Sequence, residues 1–186
     1  MNKNFKDYIK IYDDLMPDGL CEQILDELQN VNFKQHSFYK VREDSYVSFG
    51  DDLYTNGDIL PSDTLIKPII WNSFNSYLQE INLPWFTGWE GYTAPKWNKY
   101  PVGTNMREHC DHIHDIFDGT RKGVPKLTVL GGLNNDYSGG DLVFFTDEVY
   151  ELKAGQLMVF PSNFLFPHRV DTVTEGTRYS FASWAY

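Results

Sequence analysis

From about Pro84 to the C-terminus the chain is a succession of short apolar or alternating runs cut by Gly, Asn and Pro. That pattern is the grammar of strands and turns, and it limits the fold more than any other feature. The runs are Tyr92–Tyr100, Asn105–Ile113, Lys126–Leu133, Asp141–Phe145, Val149–Leu152, Gln156–Phe160, Phe166–Val170 and Arg178–Tyr186. Asn134-Asn135-Asp136, Ser138-Gly139-Gly140 and Ala154-Gly155 mark turns, and Glu175-Gly176-Thr177 reads as another before the last run. About eight strands after two helices predict a mainly β fold with flanking helices, a jelly roll with its N-terminal helices packed on one sheet.

The first part of the chain reads differently. Ile9 to Leu15 looks like a short strand, and Pro17 with Asp18 opens a helix whose Leu20, Ile24, Leu25 and Leu28 share one face. Ser62 or Asp63 caps a second helix, with an apolar stripe through Ile66, Ile69, Ile70, Phe74, Tyr77, Leu78 and Ile81. Pro68 is tolerable there only in the first turn. The polar, aromatic-rich segment from His36 to Asp58 has no clear period and reads as a hairpin or a mobile loop over a site. The expectation is one domain over residues 1–186, with helical support over about 1–83 and a jelly-roll core over about 84–186.

Composition narrows the function. A formal charge of −10 argues against wrapping around nucleic acid, which needs a basic face, although Arg121 and Lys122 could form one small basic patch. No apolar run approaches the roughly 20 residues of a membrane span. Met1 to Lys10 lacks the apolar stretch of an export signal, so the chain reads as cytoplasmic. Cys21 and Cys110 then read as free thiols in a reducing compartment.

Four residues carry the chemistry. His109 and Asp111 form an H-x-D pair, His168 follows, and Arg178 lies ten positions further on. Two imidazoles and a carboxylate are the donor set that holds non-haem Fe(II) on one face and leaves the other open. Residues two apart on a strand face the same side, so one strand can aim His109 and Asp111 inward together and Cys110 away. His168 stands between the apolar run Leu157–Phe160 and its own strand, where a buried polar group needs a partner. A guanidinium clamps a carboxylate through two parallel hydrogen bonds, and Ser180 shares the strand face of Arg178. Each signal has a bland alternative: a surface salt-bridge pair, a hydrogen-bonded structural histidine, a surface arginine. His112 and His114 face opposite to the pair on a regular strand and belong at the pocket rim or outside, and His36 reads as a solvated loop side chain.

At these residues the chain resembles the Fe(II)- and 2-oxoglutarate-dependent dioxygenases, in particular the prolyl 4-hydroxylase-like branch. The resemblance runs from about Trp97 to Trp184. It includes Tyr100-Pro101-Val102-Gly103, the H-x-D pair, Leu127-Thr128-Val129-Leu130, Leu133-Asn134 and the stretch Asp136 to Leu142. It continues through Ala154-Gly155, Phe160-Pro161-Ser162, His168-Arg169-Val170 and the stretch Val173 to Ser180. What it implies is a double-stranded β-helix, the family's form of jelly roll. His109, Asp111 and His168 would ligate Fe(II). Arg178 would bind the C5 carboxylate of 2-oxoglutarate, assisted by Ser180 and Tyr100. The implied reaction consumes 2-oxoglutarate and O2, with ascorbate as a conceivable auxiliary reductant, and hydroxylates an unactivated C–H while releasing succinate and CO2. Asp111 favours hydroxylation over halogenation, since halogenating relatives lack that carboxylate.

Departures from the branch bear on the substrate. Met106 stands where peptidyl-prolyl hydroxylases tend to carry a substrate-contacting tyrosine, and Arg178 where many collagen-type enzymes use lysine. Trp184 lies near a substrate-facing tryptophan of relatives, with core packing as its ordinary alternative. The segments 36–58 and 112–125 would frame the mouth of the site. A protein or peptide side chain is favoured over a small molecule through the resemblance alone. The competing readings are a non-catalytic jelly-roll binding module and a cupin-like metalloenzyme that does not use 2-oxoglutarate.

Overall fold

The computed structural model describes residues 4–40, 43–82, 86, 88, 91–111 and 125–186. Strand β1 (Lys10–Tyr12) precedes helix α1 (Leu20–Leu28). Four short strands follow, β2 (Lys34–Gln35), β3 (Phe38–Lys40), β4 (Ser45–Val47) and β5 (Tyr54–Asn56), and then helix α2 (Asp63–Ile81). The rest is β-structure: β6 (Lys96–Pro101), β7 (Met106–His109), β8 (Leu127–Gly132), β9 (Tyr137–Gly139), β10 (Leu142–Phe144), β11 (Glu148–Tyr150), β12 (Leu157–Pro161), β13 (His168–Val170) and β14 (Val173–Ala185).

A major antiparallel sheet runs in the order β1-β12-β8-β14-β6-β5-β2, with β9 paired to β14. A minor sheet runs β11-β10-β13-β7, and β3-β4 form a separate hairpin. Alternation along the strands divides the apolar side chains between two cores. On β12, Leu157 and Val159 join Ile24, Ile66, Ile70 and Phe74 of the helices, whereas Met158 and Phe160 join Leu142, Phe144 and Val170 of the minor sheet. The helices therefore cover one face of the major sheet and the minor sheet covers the other. Every strand that carries a candidate site residue is built into this sandwich.

Local details depart from the sequence reading. Pro68 is the sixth residue of α2, one turn deeper than expected. The carbonyl it leaves without an N–H partner belongs to Thr64, which is exposed, so water can satisfy it. Glu175-Gly176-Thr177 is no chain reversal but part of β14. Gly176 has φ +69° beside a register shift between Val173 and Glu175, and a Cβ there would lie 2.3 Å from the Asp136 carbonyl oxygen. The residue types of a turn here serve a bulge, which needs the same positive φ. Tyr137–Gly139 likewise pairs with β14 as a short strand rather than turning. Within 36–58 the hairpin is present, but Tyr54–Asn56 is paired to β6 in the major sheet and is no loop. Among the described residues no helix is long and apolar enough to cross a membrane.

Candidate metal centre

His109 ends β7 and His168 begins β13, and the two are opposite one another in the minor sheet. Their rings stand 4.4 Å apart between centroids. Asp111 lies just beyond the end of β7, not within a regular strand as expected, yet its carboxylate turns back between the imidazoles. Its Oδ1 is 3.4 Å from His109 Nε2 and its Oδ2 is 3.7 Å from His168 Nε2. One donor atom from each of the three residues lies within 4.8 Å of the others.

The rings are held for ligation. His109 Nδ1 is 2.7 Å from the Arg107 carbonyl oxygen, and His168 Nδ1 is 3.1 Å from that of Phe166. A carbonyl only accepts, so both Nδ1 atoms carry the proton and, in the neutral rings, both Nε2 atoms present a lone pair toward Asp111. Phe144 stacks on the His168 ring at 5.1 Å and Phe160 meets it edge-on at 5.0 Å, which fixes the plane. The Thr128 hydroxyl is 2.8 Å from Asp111 Oδ2 and 2.7 Å from Ser162 Oγ. An ionised carboxylate only accepts, so Thr128 donates to Asp111 and Ser162 donates to Thr128.

Burial alone would raise the Asp111 carboxyl. The adjacent His168 and His109 and the hydrogen bond from Thr128 hold it well below the usual carboxylate range. Burial also works against charge on both histidines. For His168 it prevails and the pKa is lowered, whereas for His109 the contact with Asp111 raises it. A desolvated carboxylate faces two imidazoles and attracts positive charge, and a divalent cation meets that demand without a proton. The donor set, its geometry and its tautomers fit a resident Fe(II). Replacing Thr128 with valine keeps the shape and removes the donor. Metal affinity is expected to fall about 10–100-fold, the usual effect of losing an outer partner of a ligand. Competition with a chelator measures it, and an unchanged affinity would contradict the assigned relay.

Across a cavity of about 70 Å³ from these residues, β14 turns Arg178, Ser180, Ala182 and Trp184 inward at every second position. Arg178 is 2% exposed, yet among the described residues it has no carboxylate partner. Its Nη1 donates to Ser180 Oγ at 3.0 Å, and its guanidinium lies 5.0 Å from the Tyr100 ring on the paired strand. Burial pushes the Tyr100 phenol up to about 12, against the pull of Arg178. The same alternation on β6 turns Lys96, Asn98 and Tyr100 into the cavity.

His36 corrects the sequence reading. It is partly buried, it lines the cavity, and its Nδ1 is 3.5 Å from Lys96 Nζ. Lys96 was not singled out by sequence, although it shares a strand face with Tyr100 and period two could have found it. Trp184 and Met106 also line the cavity. His112, His114, Arg121 and Lys122 lie outside the described residues, as does all of 112–124. Cys21 is buried and Cys110 half-buried, and neither is in a disulfide.

The two-sheet fold and the three-donor cluster can be set beside those of known proteins. Residues 95–186 match the sequence model of the 2OG-Fe(II) oxygenase superfamily. A PKHD-type hydroxylase of Rippkaea orientalis is 45% identical over 90 residues, which cover 47% of this chain and 40% of that protein. One from Acinetobacter baumannii is 30% identical over 129 residues, covering 66% and 52%. The chain thus spans about half or less of the length of these curated relatives. Among solved structures, a Trichoplax adhaerens prolyl hydroxylase in complex with a hypoxia inducible factor peptide fragment shares the fold at a TM-score of 0.69. It is 21% identical, over 96% of this chain and 83% of that one. A Pseudomonas putida prolyl-4-hydroxylase does so at 0.64 with 20% identity, over 96% and 91%.

Proposed function

We propose that this chain is an Fe(II)- and 2-oxoglutarate-dependent hydroxylase. His109, Asp111 and His168 would hold the iron, and Arg178 with Ser180 and Tyr100 would bind the C5 carboxylate of 2-oxoglutarate. The observation that carries the reading is the pairing of two features in one cavity. A three-donor cluster, with His168 buried and His109 and Asp111 partly so, stands at one side, and a buried guanidinium without an acid partner among the described residues stands at the other. A buried arginine is costly unless an anion meets it, and a dicarboxylic keto acid offers one carboxylate to Arg178 while its other end reaches the metal.

Bound iron and keto acid would supply oxygen activation and C–H oxidation, with release of succinate and CO2. The protein's part is positional. The Nδ1 hydrogen bonds aim the imidazoles, the Thr128 hydroxyl holds Asp111, and Arg178 sets the direction of the keto acid. Leu53, Leu130, Leu142 and Val170 line the cavity and limit water around the reacting centre. The primary substrate is proposed to be a protein or peptide side chain, on the strength of the prolyl hydroxylase branch.

Gly140 provides an internal check on Arg178. It has φ +71°, and a Cβ there would lie 2.9 Å from Arg178 Cδ and 3.0 Å from Val173 Cγ2. Gly140→Ala must push the arginine stem aside. A misplacement of about 1 Å can cost about 100-fold, so 2-oxoglutarate binding is expected to weaken at least about tenfold while metal affinity persists. Equal 2-oxoglutarate affinity in wild type and variant would contradict this.

The reading is tested by incubating the protein with Fe(II), 2-oxoglutarate, ascorbate and air, and measuring succinate. Succinate above a chelator-treated control, lost in Arg178→Ala, is the expected result. No succinate from a protein shown to bind both iron and 2-oxoglutarate would favour a non-catalytic module. Iron-dependent oxygen consumption indifferent to Arg178→Ala would favour a metalloenzyme without a keto acid.

A further inference from the structure

Lys96 has no role in the site as described so far. It lines the metal cavity, but its one hydrogen-bond partner among the described residues is the His36 ring, and no acid pairs with it. Burial lowers the Lys96 pKa and the Asp111 charge partly restores it. Burial and the neighbouring Lys96 and His109 push His36 down to about 4, so at neutral pH the imidazole is an uncharged acceptor and does not compensate the ammonium. Trp184, two registers along the same wall, has its indole Nε1–H buried without a hydrogen-bond partner. A buried donor left unmade costs about 1–3 kcal/mol. The Trp184 nitrogen is closed to solvent, so the Lys96 ammonium, whose one partner among the described residues is an uncharged imidazole, is the donor left for an acceptor from outside.

The position of Lys96 says which ligand would bring it. Outside the cavity lies an open groove lined by Asn32, Lys34, Asn56, Asp58, Ala94 and Pro95. Groove and cavity share Thr55, Lys96 and Trp184. These three side chains stand where the groove and the cavity adjoin.

The charges say which acceptor. Apart from histidines, the charged groups lining the cavity among the described residues are Asp111, Arg178 and Lys96. A divalent iron with Asp111 leaves one positive charge, and Arg178 adds a second. The two negative charges of 2-oxoglutarate cancel both. Lys96 then remains as a single uncompensated positive charge at that junction, and in a desolvated site that charge calls for one anionic group.

We propose that the primary substrate carries a carboxylate, and that the Lys96 ammonium binds it where the groove and the metal cavity meet. This rests on the reading of the site as an iron and 2-oxoglutarate centre. The carboxylate accepts from the ammonium, and the His36 ring, 3.5 Å from Nζ, steadies the lysine. The contact holds the substrate by an acidic group and leaves a neighbouring C–H free to face the metal. An unmodified prolyl ring in a neutral peptide would leave Lys96 unpaired, so the proposal separates this chain from peptidyl-prolyl hydroxylation of neutral sequences.

Acetate and acetamide are closely matched in shape and differ in charge, which makes them suitable probes. They are titrated anaerobically into the Fe(II)- and 2-oxoglutarate-loaded protein as wild type, Lys96→Met and Lys96→Arg, with the visible charge-transfer band of the keto acid on iron as readout. In wild type, acetate is expected to bind at least about tenfold tighter than acetamide, as fits a charge-assisted hydrogen bond. Lys96→Met should erase that preference and Lys96→Arg should retain part of it, with the 2-oxoglutarate band unchanged in all three.

Equal binding of the two probes by wild type would overturn the proposal. So would a preference that survives in Lys96→Met, because the anion would then sit elsewhere. Loss of the 2-oxoglutarate band in Lys96→Met alone would assign the lysine to the keto acid, again against the proposal. Absence of the band in wild type would instead mark failure of the iron and 2-oxoglutarate reading. Two probe sets then identify the source of the carboxylate: alanine-flanked peptides with Asp or Glu against Asn or Gln, and free L-amino acids against their amides. Carboxamides that bind as tightly as acids in both sets would contradict it.

Discussion

Asp111→Ala is expected to abolish stable metal binding while the protein still folds. The carboxylate supplies the one anionic ligand among the three, and both imidazole Nε2 atoms are organised around it. Losing only an outer partner of a ligand costs about 10–100-fold in affinity, so loss of the charged ligand itself should exceed about 100-fold. The fold should tolerate the change, because Asp111 lies past the end of β7 and a buried ionised group is not needed for stability. Thermal unfolding reads both effects at once. A ligand that binds only the native state at about 100 times its dissociation constant adds about 2.7 kcal/mol. Fe(II), or Mn(II) as an air-stable substitute, should raise the melting temperature of the wild type and leave that of Asp111→Ala unmoved. Equal stabilisation of both proteins would show that the metal sits elsewhere.

Arg178→Met should separate the keto acid from the metal. The methionine keeps an apolar stem of similar reach and removes the one cation that, among the described residues, stands beside Ser180 and Tyr100. Truncating one partner of a buried, hydrogen-bonded charge pair costs about 2–5 kcal/mol, which corresponds to at least about 30-fold weaker 2-oxoglutarate binding. Metal affinity should be retained, because Arg178 contacts none of the three donors. Arg178→Lys should recover part of the affinity, since lysine restores the charge but not the planar fork. Calorimetric titration of 2-oxoglutarate into the Mn(II)-loaded proteins gives the comparison. Unchanged affinity in Arg178→Met would remove this arginine from the co-substrate site.

What the sequence revealed is what depends on period and spacing. The alternation that puts Arg178 and Ser180 on one face is a property of any strand and needs no knowledge of its neighbours. The run Leu157–Phe160 reads as a strand, and the structure divides its four side chains between two cores. The positions that escaped depend on pairing between distant segments. His36 reads as solvated because its segment has no clear period and its immediate neighbours, Gln35 and Ser37, are polar. It reaches the cavity because its backbone N–H is held by the Leu53 carbonyl at 2.8 Å, and the strands beside it join β6 through β5. Lys96 was passed over because a lysine on a strand is ordinarily on the solvent side, and only the closure of two sheets turned it inward. Gly176 was misread for a physical reason: a tight turn and a bulge both demand positive φ, and the local sequence does not distinguish them.

If one cavity holds both an iron and a keto acid, anaerobic titration of 2-oxoglutarate into the Fe(II)-loaded protein must show it in visible absorption. The expected result is a metal-to-ligand charge-transfer band that saturates with 2-oxoglutarate, is absent in His168→Ala, and needs much higher concentrations in Arg178→Met. Iron demonstrably bound to the wild type with no such band at any concentration of 2-oxoglutarate would contradict it.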